Sequence, residues 1–185
     1  MSTTEIIVVA VVAVALVAAV GYSIVRLRRR HTLRDQFGDE YEIVLEEHGS
    51  KRQADRELAA RQDRHDHLDI RPLDPQLHRR YAEQWRATQA HFVDEPSAAF
   101  EDADRLVEDV MVERGYPVGD VNQQMADLSV EHSNVLRHYR RAHQIAQASA
   151  AGHATTEDLR EGMVQYRELF EALLEHQADM PPTRR

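Results

Sequence analysis

Eleven histidines among 185 residues make metal binding the first chemistry to test. A zinc-binding helix of the protease kind needs two His four residues apart, so that both face one side. No two His in this chain are spaced that way. A di-iron bundle needs Glu three residues before His, and Glu never stands there. Thiolate zinc sites are excluded because the chain has no Cys. What is left is the run His65-Asp66-His67-Leu68-Asp69, whose residue types can ligate metal. It falls at the end of a polar segment with no second ligand set fixed nearby, so a solvated helix end is the expected reading. A second constellation is His132, Tyr139 and His143. With Leu136 they lie at zero, four, seven and eleven and would share one helix face. Such a face could relay protons or bind a small ligand, although buried groups of this kind are commonly satisfied within a bundle. Tyr81, Trp85 and Phe92 could line an aromatic groove, but their helical spacing fits a core row. Adjacent acids such as Glu101-Asp102 and Glu108-Asp109 diverge by about 100 degrees on a helix and make no catalytic dyad. No nucleophile elbow, phosphate loop or dinucleotide fingerprint occurs. No catalytic residue, metal ligand or cofactor-binding residue is therefore assigned, no cofactor is expected, and whether the chain is an enzyme stays open, with the balance against it.

The elements that would position these residues read as helices throughout. Residues 32–48 place Leu33, Phe37, Tyr41, Val44 and Leu45 on one side, interrupted at Gly38 and stopped at Gly49. Ser50 with Gln53 three residues on is a capping-box pattern. From Lys51 to His67 the only large apolar residue is Leu58, which predicts a solvated helical arm. Pro72 and Pro75 end it. Asp74 then caps a helix with Pro75 at its first position, and Leu77, Tyr81, Trp85, Thr88 and Phe92 form its face. The next helix opens near Asp94–Pro96 and buries Ala99, Phe100, Ala103, Leu106, Val107, Val110 and Met111. Gly115 terminates it. Val121, Met125 and Leu128 predict a short helix, and Ser129 or Ser133 a cap for a long one carrying Leu136, Tyr139, Ala142, Ile145 and Ala146. Thr155 with Asp158 caps a last helix, whose inner row is Leu159, Met163, Tyr166, Phe170, Leu173 and Leu174. No segment alternates with period two for long enough to be a strand. The expectation is an all-α chain. Residues 26–71 form a basic juxtamembrane segment and polar helical arm. Residues 72–176 form a compact bundle of about four helices, and 177–185 a disordered tail.

The N-terminal stretch sets the location. After a short flank, residues 1–5, the 20 residues from Ile6 to Val25 carry no charge, and 18 of them are hydrophobic. A helix of that length spans about 30 Å, the thickness of a bilayer's hydrocarbon core. A single transmembrane helix over 6–25 is therefore expected. No Lys or Arg precedes it and a cluster of Arg follows, which favours an uncleaved anchor over a cleaved signal peptide. Arg26, Arg28, Arg29, Arg30 and Arg34 lie just beyond it, where they would contact the membrane surface. By the positive-inside rule they would hold the C-terminal domain in the cytoplasm. From Asp35 onward the chain has 18 basic and 31 acidic residues, a net of −13. A nucleic-acid partner is not expected, because so acidic a domain repels a phosphate backbone. Ala15, Ala19 and Ser23 recur every four residues and would permit a homodimer through the anchor.

Beyond the anchor, the stretches LRDQFGDEYEIVLEEHG, YAEQWRATQAHFVDEPSAAFEDADRLVEDVMVERGYP, ADLSVEHSNVLRHYRRAHQIA and ATTEDLREGMVQYRELFEALL resemble a family of uncharacterised single-pass membrane proteins of actinobacteria. The use of 22 Arg against one Lys, and of much Ala, fits the GC-rich genomes of such organisms. The resemblance covers nearly the whole chain and implies an anchor followed by a helical domain. It implies no reaction, so no functional residues are carried over.

These readings combine into a membrane-anchored helical protein–protein interaction or scaffold module at the cell membrane, with an acidic surface suited to a basic protein partner. The alternatives are a small-ligand-binding or enzymatic helical domain using His132, Tyr139 and His143, and a metal-responsive sensor through His65 and His67.

Overall fold

The structure, a computed structural model, describes residues 33–175. The expected anchor 6–25, the arginines Arg26, Arg28, Arg29 and Arg30 and the tail 177–185 lie outside the described residues. Among the described residues the fold is all-α, with no strand and no helix long and apolar enough to cross a membrane. Residues 33–37 are helical, and Gly38, at φ 50°, interrupts them as expected. The helices that follow are α1 (Asp39–His48), α2 (Lys51–His65), α3 (Pro75–His91), α4 (Pro96–Arg114), α5 (Val121–Ala150) and α6 (Thr156–Glu175). The chain divides into two compact units between Leu58 and Ala59. The division falls inside α2, ahead of the boundary expected at residue 72.

In the first unit α1 ends at Gly49, whose φ of 67° is the left-handed conformation glycine adopts without penalty. Ser50 opens α2: its Oγ accepts from Gln53 N at 3.3 Å and donates to Gln53 Oε1 at 2.8 Å. Phe37, Tyr41, Val44, Ala54 and Leu58 are buried, and Tyr41 donates its hydroxyl to Asp55 at 3.0 Å.

α2 is not the solvated arm that its composition suggests. Ala54, Leu58, Arg61 and His65 recur at intervals of four, three and four, and all four are buried. A count of large apolar residues misses this face. Alanine packs without bulk, and Arg and His bury an apolar body behind a polar tip.

In the second unit α6 packs on α5 and α4, and α3 packs on α4. The inner rows expected for α4 and α6 are buried, as are Tyr81 and Trp85 of α3. Trp85 stacks on Phe170 with ring centroids 4.6 Å apart, so Tyr81 and Trp85 are core, while Phe92 is only partly buried against it. The caps follow the sequence. Asp74 accepts from Gln76 N at 2.7 Å with Pro75 in the first turn. Thr155 and Asp158 exchange bonds, Thr155 N to Asp158 Oδ2 at 2.8 Å and Asp158 N to Thr155 Oγ1 at 3.2 Å. Gly162 was not singled out by any pattern, yet a Cβ there would stand 2.4 Å from Phe100 Cε2. It is the point at which α4 and α6 approach closely.

Candidate functional site

Two local devices build the site. The first is the end of α4. Gly115 N donates to Val112 O and Tyr116 N to Met111 O, each at 2.9 Å, with Gly115 at φ 94°. This is a Schellman closure, which satisfies carbonyls that a helix end would leave bare. The loop before α3 completes it: Arg71 N donates to Arg114 O at 2.9 Å and Arg71 Nε to Glu113 O at 3.0 Å. A Cβ on Gly115 would lie 2.2 Å from Asp69 O, so only glycine admits this loop. The closure fixes Arg114 and Tyr116 in the interior, where they are 1% and 3% exposed.

The second device is a break in α5. His132 has φ −122° and ψ 33°, outside the helical range. Tyr139 Oη donates to Gln124 Oε1 at 3.3 Å. Fifteen residues of straight helix would separate these positions by about 22 Å, so the helix must fold back between them. No Pro or Gly stands there. Ser129 Oγ instead donates to Ala126 O at 2.6 Å, drawing on a carbonyl of the helical ladder. The first half of α5 is capped by Asp120, which accepts from Gln123 N at 2.8 Å. The separation of a short helix from a long one near Ser129 and Ser133 was thus legible in the sequence.

Between these devices Glu131 is the hub. Tyr116 donates its hydroxyl to Glu131 Oε2 at 2.8 Å. His65 Nε2 stands 3.5 Å from Oε1, and Arg114 Nη2 and His132 Nε2 stand 3.8 and 3.9 Å from Oε2. The Tyr116 ring stands 6.3 Å from each of the His65 and His132 imidazoles, with the Arg114 guanidinium 5.8 Å away over its face. Arg114 Nη1 also donates to Leu173 O at 3.0 Å. Burial, then the Glu131 charge, pushes the Tyr116 phenol up, so it stays a neutral donor.

Beside this cluster an open cleft of about 490 Å³ is lined by Asp63, Arg64, His67, Leu68, Pro117, Gln123 and Asp127. The Asp127 side chain is only 2% exposed. Its Oδ1 accepts from Gln123 Nε2 at 2.8 Å and has Arg64 Nε at 3.9 Å. Burial pushes the Asp127 carboxyl up, against the opposing pull of Gln123 and of the nearby cations.

The structure redistributes the residues singled out in the sequence. His132 does not join Tyr139 and His143, because the helix is broken at His132 itself. His132 faces Glu131 and Tyr116. Tyr139 lies 6.2 Å from the His143 ring and 6.3 Å from Tyr166, whose hydroxyl donates to Asp104. His143 bonds to Gln147 at 3.1 Å. His65 and His67 also part. His65 is buried against Glu131 instead of lying at a solvated helix end. His67 directs Nδ1 to Asp63 O and lines the cleft. No group of three or more His, Asp or Glu that could hold a metal ion occurs among the described residues. Arg34, expected at the membrane surface, pairs with Glu42 and lies 5.7 Å over the Tyr41 ring. Sequence reasoning missed Glu131 and Arg114. The single signal available was the spacing of Ala54, Leu58, Arg61 and His65.

The fold and site define an all-α protein with a polar cluster and an adjoining cleft in its second unit. Comparison with family models, with curated proteins and with solved structures found no match to this chain.

Proposed function

We propose that the chain is a single-pass membrane protein of the actinobacterial kind it resembles, and that its helical body is a protein–protein interaction module in the cytoplasm. The charge-free run from Ile6 to Val25 and the arginine cluster after it support the anchor and its orientation. The observation that carries the interaction reading is the open cleft at the end of α2, set in a body of net charge −13 from Asp35 onward. An acidic surface of that kind draws basic partners. The enzymatic alternative built on His132, Tyr139 and His143 has less support, because His132 faces Glu131 and Tyr116 while Tyr139 and His143 stay ring neighbours without it. The metal-sensor alternative has less support, because His65 faces Glu131 while His67 lines the cleft.

The test is in-cell crosslinking of the full chain, followed by an alkaline carbonate wash of the membranes. The chain is expected to stay in the washed membranes and to carry a partner crosslinked through its second unit. Recovery in the culture medium, or crosslinks that return only the bait, would contradict the reading.

A further inference from the structure

We infer that the outward face of α3 docks on the anionic surface of a lipid bilayer. The inference rests on the membrane reading above and assigns the surface by which the helical body meets the lipid. α3 carries three arginines, Arg79, Arg80 and Arg86, against one acid, Glu83. Its neighbours have the opposite sign: α4 has six acids against two arginines, and so has α6. The helix is one-sided. Tyr81 and Trp85 face the core, while the three arginines, Glu83, Gln84 and Ala87 are exposed. Arg79 and Arg86 stand two turns apart on one face, about 10 Å along the axis. The Arg80 guanidinium lies 5.2 Å over the Tyr81 ring. Among the described residues no carboxylate pairs with any of the three. Exposed arginines elsewhere in the second unit do find one, Arg105 with Asp102, Arg141 with Glu161 and Arg160 with Glu157.

α3 is thus a basic face left in water on a body of net charge −13 from Asp35 onward. Such a body as a whole is repelled by an anionic surface. Charges more than about 8 Å away are largely screened at physiological ionic strength, however, and a helix is about 10 Å across. With α3 turned to the lipid, its arginines meet the headgroups and the acidic helices behind it are screened. On the face itself only Glu83 opposes the contact. Asp74 stands at one end of α3, and Asp94 and Glu95 at the other. The face suits lipid better than a protein. Gln84 and Ala87 lie among the arginines, and no exposed aromatic supplies the anchor on which protein interfaces centre. A bilayer needs no such anchor, because each arginine near an anionic leaflet raises the bound ratio about fivefold by charge alone.

The chain has no Cys, so Ala87→Cys on this face and Val112→Cys, at an exposed position of α4, each create one site for a fluorophore. The labelled full chain is reconstituted in vesicles of phosphatidylcholine alone, or of phosphatidylcholine mixed equally with phosphatidylglycerol. Both carry a spin-labelled headgroup as quencher. Quenching at position 87 is expected to be at least about twofold greater in the anionic vesicles and to be lost at high salt. Position 112 should be quenched little in either. Arg79→Gln with Arg86→Gln is expected to lower the docked ratio about 25-fold, fivefold for each arginine. Arg79→Lys with Arg86→Lys should keep it. Equal quenching in the two vesicles, or a preference untouched by the Gln pair, would overturn the inference. So would a protein crosslink formed in cells from position 87 and lost with the Gln pair, without lipid quenching, which would assign the face to an acidic partner. A chain that survives a carbonate wash but shows no anionic preference defeats this inference alone. A chain that the wash strips away, yet is quenched at position 87 by anionic vesicles beforehand, defeats the anchor and leaves the assignment of α3 standing.

Discussion

Where α4 meets α6, Gly162 lets the Phe100 ring lie against the α6 backbone, and Tyr166, Phe170 and Leu173 close a dry interior. At the break in α5 the interior is also closed, but around Glu131, Arg114, Tyr116, His65 and His132. The first region draws its stability from apolar area and close packing. The second removes charged groups from water and recovers that cost only through mutual pairing. His65 Nε2 and Arg114 Nε and Nη2 lie buried there without a hydrogen-bond partner. The contrast teaches that the polar end contributes a defined arrangement more than stability, and the open cleft lies at that end.

Three measurements break or sharpen this contrast. The largest effect is expected in alkali. Burial, reinforced by nearby acids, raises the phenols of Tyr116, Tyr139 and Tyr166 above their ordinary value of 10.0. Because the unfolded chain would ionise first, the stability they contribute is complete below about pH 10 and is lost as the pH rises beyond it. An absorbance titration should show these three phenols ionising together with loss of helix. Tyr166→Phe and Tyr116→Phe would each reduce that pH dependence, and their ratio tells which region gives way first. Phenols that all titrate near pH 10 with the helices intact would refute the burial described.

Gly162→Ala comes next. The added methyl meets Phe100 at 2.4 Å and Ile145 Cγ2 at 3.2 Å, an overpacking expected to cost about 1–3 kcal/mol in chemical denaturation. A neutral or stabilising result would show that the dry region has slack. Glu131→Gln is expected to cost less, about 1 kcal/mol, because the amide keeps an acceptor for the Tyr116 hydroxyl while losing the charge. A loss as large as that of Gly162→Ala would mean that the polar cluster is as structural as the dry one.

How much of this was legible in the sequence differs between the two regions. Rows such as Leu159, Met163, Tyr166 and Phe170 are local and periodic, so the dry region could be read from spacing. The caps at Asp74 and Thr155 are equally local. The polar cluster joins His65, Arg114 and Glu131 from three helices, and no short-range pattern links them. Gly115 was legible as a helix stop, but no pattern marked Arg114 or Tyr116 beside it as interior, and the break that redirects His132 depends on Ser129 bonding to Ala126 O. A face of Ala, Leu, Arg and His on α2 was discounted because apolar counts pass over alanine and the stems of long polar side chains.

The most direct test of the central claim is site-specific photocrosslinking in cells carrying the full chain. The probe is placed at Leu68 in the cleft wall or at Val164, which is exposed on α6. The account predicts partner crosslinks from Leu68 and few from Val164. Crosslinks of equal strength from both positions, or none from Leu68, would contradict it.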